Sequence, residues 1–206
     1  EYRGTEFIVK TTNELKDNLQ YKNGNYIWRI PVVKPVEFEN TSSHKIDPYI
    51  IGVLIADGYL ISSVTYTPGD IRVAVEVDKV IPSGYMQSSD LRNGCDEKNA
   101  LFRIVIAGEA NNKRNEVLNE IKKLKLNVKS YKKFIPNTYK ITSVDNRVSL
   151  LQGLMDSDGE VRDDGRICYN TSSQRLAKDV AFIVRSLGGI ARINKKNKNY
   201  YTYKGK

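Results

Sequence analysis

Two aspartates in this chain of 206 residues stand where carboxylates could act as a pair. Asp57 comes next to last in Asp47-Pro-Tyr-Ile-Ile-Gly-Val-Leu-Ile-Ala-Asp-Gly58, and Asp158 holds the same place in Val148-Ser-Leu-Leu-Gln-Gly-Leu-Met-Asp-Ser-Asp-Gly159. The stretches repeat one pattern: an apolar run, a glycine (Gly52, Gly153), three large residues, then a small residue, Asp and Gly. Each reads as an apolar helix with the carboxylate at its C-terminal end, where the last carbonyls repel negative charge. One Asp-Gly after a helix is commonly a turn. Two copies behind matching helices point instead to a paired site. Gly52 and Gly153 carry no side chain, so the helices can approach closely and bring both aspartates together. Carboxylates that close repel each other unless divalent cations lie between them. Oxygen ligands, with no histidine or thiolate, suit Mg2+ better than zinc.

Other chemistries lack the residues they need. His44 is the single histidine, and the two cysteines, Cys95 and Cys168, build neither a disulfide framework nor a site of two Cys and two His. A reducing interior is expected. Thirty-three Lys plus Arg against 24 Asp plus Glu give a net charge of +9, which favours a polyanionic partner through counterion release. With 40% apolar residues the chain can bury a core. No apolar run approaches the roughly 18 to 20 residues that span a bilayer, and no basic-then-apolar signal pattern follows Glu1. A chain without membrane segments is expected, in the cytoplasm or bound to a nucleoid, of cellular or phage origin.

These carboxylates need elements to position them. After the first copy, Ile71, Val73, Val75 and Val77 alternate with Arg72, Ala74 and Glu76, a strand pattern. After the second, Ile167, Tyr169 and Thr171 alternate with Arg166, Cys168 and Asn170. Ser172 or Ser173 can cap a helix with Leu176, Val180, Ile183, Val184 and Leu187 on one stripe, stopped by Gly188-Gly189 and followed by a short strand through Ile190 and Ile193. Leu101 to Ala107 reads as a strand, and Val117, Leu118, Ile121 and Leu124 mark a helix from about Asn112 to Lys125. Ile81 to Asn99 reads as a long loop. In residues 1–46 the pattern gives a short helix over Thr12 to Leu19, a turn at Lys22-Asn-Gly-Asn25, and an extended Trp28 to Phe38 run that Pro31 and Pro35 demote to an edge strand or strap. Trp28 reads as a packing anchor and His44 as a linker residue.

The two segments resemble the paired motifs of the LAGLIDADG homing endonucleases, of the kind embedded in inteins. Leu151-Gln-Gly-Leu-Met-Asp-Ser-Asp-Gly159 is close to the family pattern, whereas Ile50-Ile-Gly-Val-Leu-Ile-Ala-Asp-Gly58 has Ile55 at the position of the first acid and keeps the last, Asp57. Lys133-Phe-Ile-Pro136 resembles the family's Lys-x-Ile-Pro element between the motifs, and Leu176 to Ile190 resembles the helix ending in Leu-Gly-Gly. Residues 1–46 resemble the stretch joining an intein's splicing half to its nuclease.

This resemblance implies an α+β, pseudo-twofold fold of two αββαββα-like halves, with the motif helices packed at the centre and antiparallel strands forming a DNA-binding saddle. The halves would be residues 47–135 and 136–206, the second lacking its last strand and helix, preceded by a strap, 1–46. It implies a monomeric, Mg2+-dependent endonuclease, with two or more ions and Mn2+ as a substitute, hydrolysing one phosphodiester per strand across the minor groove of double-stranded DNA at a long, weakly symmetric site. Asp57 and Asp158 would bind metal and, with Lys133 near one scissile phosphate, form the catalytic set. Lys195, Lys196 and Lys198 offer no clear counterpart to Lys133. Strand faces in the major groove would carry Arg72, Glu76, Arg166, Asn170, Arg192 and Asn194, with Tyr59, Tyr66, Tyr201 and Tyr203 able to meet sugars or bases. The rival reading is a catalytically silent relative that binds nucleic acid, an RNA maturase or a DNA-binding regulator. Self-splicing is not expected of the chain as it stands, with Glu1 first, His44 alone and Lys206 last.

Overall fold

The computed structural model describes residues 8–39, 43–90, 101–106 and 115–195. The chain divides into two compact units, Glu1–Val33 and Lys34–Lys206. In the first, helix α1 (Thr12–Lys16) opens with a capping box in which the Thr11 amide donates to the Glu14 carboxylate at 2.7 Å. The expected turn follows, with Gly24 at φ +82° and an isolated bridge between Gln20 and Tyr26. Trp28 is an anchor within this unit: its indole N–H donates to the Asn18 carbonyl at 2.8 Å, and Lys10 lies 5.5 Å from the ring centroid.

The second unit is α+β, a mixture of helices and antiparallel strands. Its first part runs α2 (Pro48–Asp57), β1 (Gly58–Tyr59), β2 (Thr65–Tyr66), α3 (Ile71–Val80), β3 (Tyr85–Asp90), β4 (Leu101–Ile106) and α4 (Glu116–Lys123), which is the order αββαββα. Strands β1-β2-β4-β3 form one sheet in that spatial order. A 3₁₀ turn (Ser130–Lys132) and short α5 (Asn137–Lys140) lead to α6 (Val144–Asp158), hairpin β5 (Gly159–Val161) and β6 (Ile167–Tyr169), and α7 (Gln174–Ser186). Helix α2 begins with Asp47, whose carboxylate accepts from the Tyr49 amide at 2.7 Å, and with Pro48 in the first turn. Pro48 through Ile55 are all buried, because α2 packs on α6 while its other sides meet the sheet and α3.

Three expectations are corrected. Residues 71–80 form a helix, not a strand: Asp70 caps it by accepting from the Arg72 amide at 2.9 Å. Its buried set is Val73, Ala74 and Val77, while Ile71 and Val75 are 39% and 52% exposed. Four β-branched residues in alternation imitate a strand, but the local cap and the i, i+4 stripe decide for helix. The stretch read as a loop contains β3, a full ladder partner of β4 with Ser88 opposite Arg103. Its Tyr-Met-Gln-Ser-Ser-Asp sequence has no apolar face, and the hydrogen bonds of its neighbour hold it in place. Ile190 and Ile193 are 82% and 47% exposed in a segment with no strand partner among the described residues.

The extended strap behaves as its prolines suggest. Val36 donates its amide to the Ser186 carbonyl at 2.8 Å without joining a sheet. Its own carbonyl accepts from the guanidinium of Arg147, a fully buried residue of α6 that also donates to the carbonyls of Thr142 (3.1 Å) and Ser186 (2.9 Å) and to the Ser186 hydroxyl (2.6 Å). Phe38 covers that guanidinium at 4.8 Å. This buried cation is thus satisfied by carbonyl and hydroxyl oxygens.

Candidate active site at the paired helix ends

Asp57 and Asp158 are the last residues of α2 and α6, the two helices packed together at the core of this unit. The packing depends on the two glycines. A methyl group at Gly52 would fall on the Leu150 carbonyl and 2.8 Å from the Leu154 nitrogen, and one at Gly153 would meet the Tyr49 carbonyl and lie 3.0 Å from the Val53 nitrogen. Backbone therefore touches backbone across the seam. The Tyr49 hydroxyl of α2 donates to the Asp156 carboxylate of α6 at 2.9 Å, adding a polar tie between the helices. Gly58 and Gly159 then turn the chain from helix into strand with φ near −75° and −79°. Glycine is required there by space, since a Cβ would strike the Leu54 or Met155 carbonyl.

Lys133 joins the two aspartates electrostatically. It is 5% exposed, and its ammonium donates to the carbonyls of Ala56 (3.0 Å) and Leu54 (3.3 Å) at the end of α2. Burial pushes it down to about 8, opposed by the attraction of Asp158 and Asp57. Asp57 is pushed up to about 6, first by burial and then by Asp158, with Lys133 pulling the other way. Burial also raises Asp158, again against Lys133. The segment carrying the lysine is fixed on both sides. The Ser173 hydroxyl, which caps α7, donates to the Lys133 carbonyl at 2.6 Å; the Ile135 amide donates to Asp179 at 2.9 Å; and Arg175 lies over the Phe134 ring at 3.8 Å.

Oxygen is the sole donor type offered by the carboxylate pair, and no group of three or more His, Cys, Asp or Glu gathers among the described residues. Two carboxylates fit Mg2+, which keeps several waters and accepts substrate phosphate oxygens to complete its shell. Two buried hydroxyls without hydrogen-bond partners among the described residues, those of Ser157 and Tyr169, belong to the same neighbourhood: Ser157 precedes Asp158, and Tyr169 pairs with Gly159. His44 takes no part. Its Nε2 lies 3.1 Å from the Thr142 hydroxyl, and its ring stacks on Tyr139 at 4.2 Å.

The residues proposed for groove contact are dispersed. Arg72 and Glu76 lie on α3, not on a strand, and Arg72 is ion-paired with Asp70 while Glu76 accepts from Lys79 at 2.7 Å. Arg166 precedes β6 and donates to Asp164 at 2.7 Å; Asn170 follows β6 and donates to Glu160 at 3.2 Å. Arg192 and Asn194 are exposed beyond α7, outside any strand. Tyr66 is 1% exposed and turns inward, whereas Tyr59 is half exposed; Lys195 is exposed, and Lys196, Lys198, Tyr201 and Tyr203 lie outside the described residues. Arg103 was not singled out from the sequence. It is exposed on β4 between the buried Phe102 and Ile104, and the alternation Phe-Arg-Ile was its signal. No helix among the described residues is long and apolar enough to cross a membrane.

Two comparisons bear on this geometry. The chain aligns at 45% identity over 56 residues with the replicative DNA helicase DnaB of Mycobacterium intracellulare, a stretch that is 27% of this chain and 10% of that protein. The chain therefore spans about a tenth of the length of that relative. A family model described as a LAGLIDADG-like domain matches residues 145–204, the part that carries Gly153, Asp158 and the hairpin β5–β6.

Proposed function

We propose that the chain is a site-specific double-strand DNA endonuclease of the homing type, which holds a divalent metal at Asp57 and Asp158 and cuts one phosphodiester on each strand. One observation carries this reading: two carboxylates at the ends of helices packed backbone to backbone, with one buried ammonium attracted to both. Such a site is costly for a protein that only folds, because desolvation and like charge both oppose it. The ion, when bound, supplies positive charge at the phosphate and lowers the cost of ionising a water there. The protein's part is positional. Asp57 and Asp158 would hold the ion, the glycine seam sets the spacing of the two helices that carry them, and Lys133 would place a cation near the phosphate charge.

The same reading assigns residues 47–135 and 136–206 to the two halves of the nuclease and makes double-stranded DNA with a long, weakly symmetric site its partner, bound by a monomer. An alignment to one-tenth of a helicase is compatible with a segment embedded in a longer host protein, as an intein-borne nuclease would be. The test is a supercoiled plasmid carrying the uninterrupted host sequence, incubated with Mg2+ or with chelator. Linear product that requires metal and is lost in Asp57→Asn and Asp158→Asn supports the reading. Tight binding with no cutting by the wild-type chain would favour the silent regulator or maturase instead.

A further inference from the structure

The register of the two hairpins sets a tyrosine opposite the glycine that follows each motif aspartate. Tyr66 of β2 stands opposite Gly58, and Tyr169 of β6 stands opposite Gly159. These equivalent residues are used differently. Tyr66 donates its hydroxyl to the Gln87 side chain, an interaction internal to the first half. The Tyr169 hydroxyl is buried and has no hydrogen-bond partner among the described residues. Buried polar groups are almost always paired, since an orphan forfeits its solvation without return, so one that persists beside two carboxylates calls for a ligand.

The chemistry of Tyr169 defines what that ligand must accept. A phenol hydroxyl is a hydrogen-bond donor, and this one belongs to the residue paired with Gly159, directly after Asp158. The first half has a buried ammonium at this site, Lys133, which is the only buried lysine among the described residues. On the β6 side the available donor is neutral.

We propose that Tyr169 is a catalytic residue, donating its hydroxyl proton in a hydrogen bond to a non-bridging oxygen of the DNA phosphodiester seated between Asp57 and Asp158. The proposal rests on the nuclease reading above. No bond to Tyr169 forms or breaks; the hydrogen bond shortens as charge grows on the phosphate oxygens, so it acts on the rate of cutting more than on binding.

Tyr169→Phe removes the oxygen and keeps the ring. Because no internal hydrogen bond is lost, the free variant should unfold at the wild-type temperature or up to about 2 to 4 °C above it. Binding to a duplex of the uninterrupted host sequence, read by fluorescence anisotropy in metal-free buffer, should stay within about threefold, while the single-turnover cleavage rate in Mg2+ falls about 10- to 100-fold. A variant that melts several degrees lower would show that the hydroxyl has an internal partner and would overturn the inference. So would cutting at the wild-type rate by Tyr169→Phe beside an Asp158→Asn control that has lost cutting. A wild-type chain that leaves the plasmid intact under all metal conditions overturns the nuclease reading, and this inference with it.

Discussion

Lys133 donates its ammonium to the Ala56 carbonyl at 3.0 Å, so the segment between the two motifs is tied to the residue that precedes Asp57. A cation at a helix C-terminus is favoured by the helix dipole, and this one answers the two carboxylates that the same position disfavours. Fold and chemistry thus share one contact.

That contact makes cutting dependent on pH at both ends. Asp57 titrates near 6 and Lys133 near 8. Below about 6 the carboxylate is protonated and holds an ion poorly; above about 8 the ammonium is neutral and stabilises no charge. A bell-shaped rate at subsaturating Mg2+ is expected. Lys133→Arg, whose side chain stays charged, should retain whatever rate it has above pH 8. An alkaline limb identical in Lys133→Arg would show that Lys133 does not cause it.

Asp57→Asn should stabilise the metal-free protein at neutral pH. The folded pKa near 6 lies above the ordinary value of 3.8, so the folded chain binds this proton more tightly than the unfolded chain does. Asp57 therefore destabilises the fold progressively as pH rises from about 4 to about 6, and its full cost is present above that. Discounted for partial exposure, the gain for the variant at pH 7.5 is on the order of 1 to 3 kcal/mol. Urea unfolding in chelator at several pH values reads it: the advantage should shrink to nothing near pH 4. An advantage independent of pH would mean that Asp57 is not held against its own charge.

Legibility from the sequence followed how local the signal was. Both motif helices, the hairpin after Asp158, the Ser173 cap and the stripe of α7 are written in neighbouring residues, and each is present. The packing of the two helices that end in Asp57 and Asp158 was legible because the repeat carries its glycines with it. Residues 71–77 misled because Val73 and Val77 serve a helical stripe as well as an alternating one, and nothing in that window weighs Asp70 as a cap against a strand. Strand β3 was invisible because its order comes from Leu101–Ile106, a partner beyond its own window. The burial of Lys133 was equally hidden. A lysine in the run Lys129 to Lys133 looks solvated until α2 and α7 close over it.

Nucleic-acid affinity should fall steeply with salt. Neutralising on the order of 8 phosphates gives a log-log slope of about −7. On β4, Arg103 is exposed while its neighbours Phe102 and Ile104 are buried, so it is the side chain of that strand to test for contact. Arg103→Ala should cost about 1 to 3 kcal/mol at one base position if it reads guanine. Arg72, on α3 and ion-paired with Asp70, should cost less than Arg103 in the same anisotropy titration. The reverse order would place α3, rather than the sheet, against DNA.

The glycine seam admits the sharpest test because the competing effects have opposite signs. In an exposed helix interior, Gly→Ala stabilises by roughly 0.5 to 1 kcal/mol, since alanine has less backbone freedom to lose. At Gly52 and Gly153 the added methyl would lie 3.0 Å or less from main-chain atoms of the opposing helix. Backbone cannot swing aside as a flexible side chain would, so α2 and α6 must separate or shift along each other. Overpacking of that kind costs about 1 to 3 kcal/mol in a packed core, enough to reverse the sign. The Tyr49 hydroxyl, bonded to Asp156 across the seam at 2.9 Å, would be strained by the same movement. Separation also displaces Asp57 from Asp158, and an error near 1 Å in a catalytic constellation can cost about 100-fold in rate. Gly52→Ala and Gly153→Ala should therefore both melt lower than wild type and cut more slowly, while Gly69→Ala, with open space around it, should do neither. Raised melting temperature with full cutting in either seam variant would mean that α2 and α6 do not meet through these glycines, and the paired site would lose its scaffold.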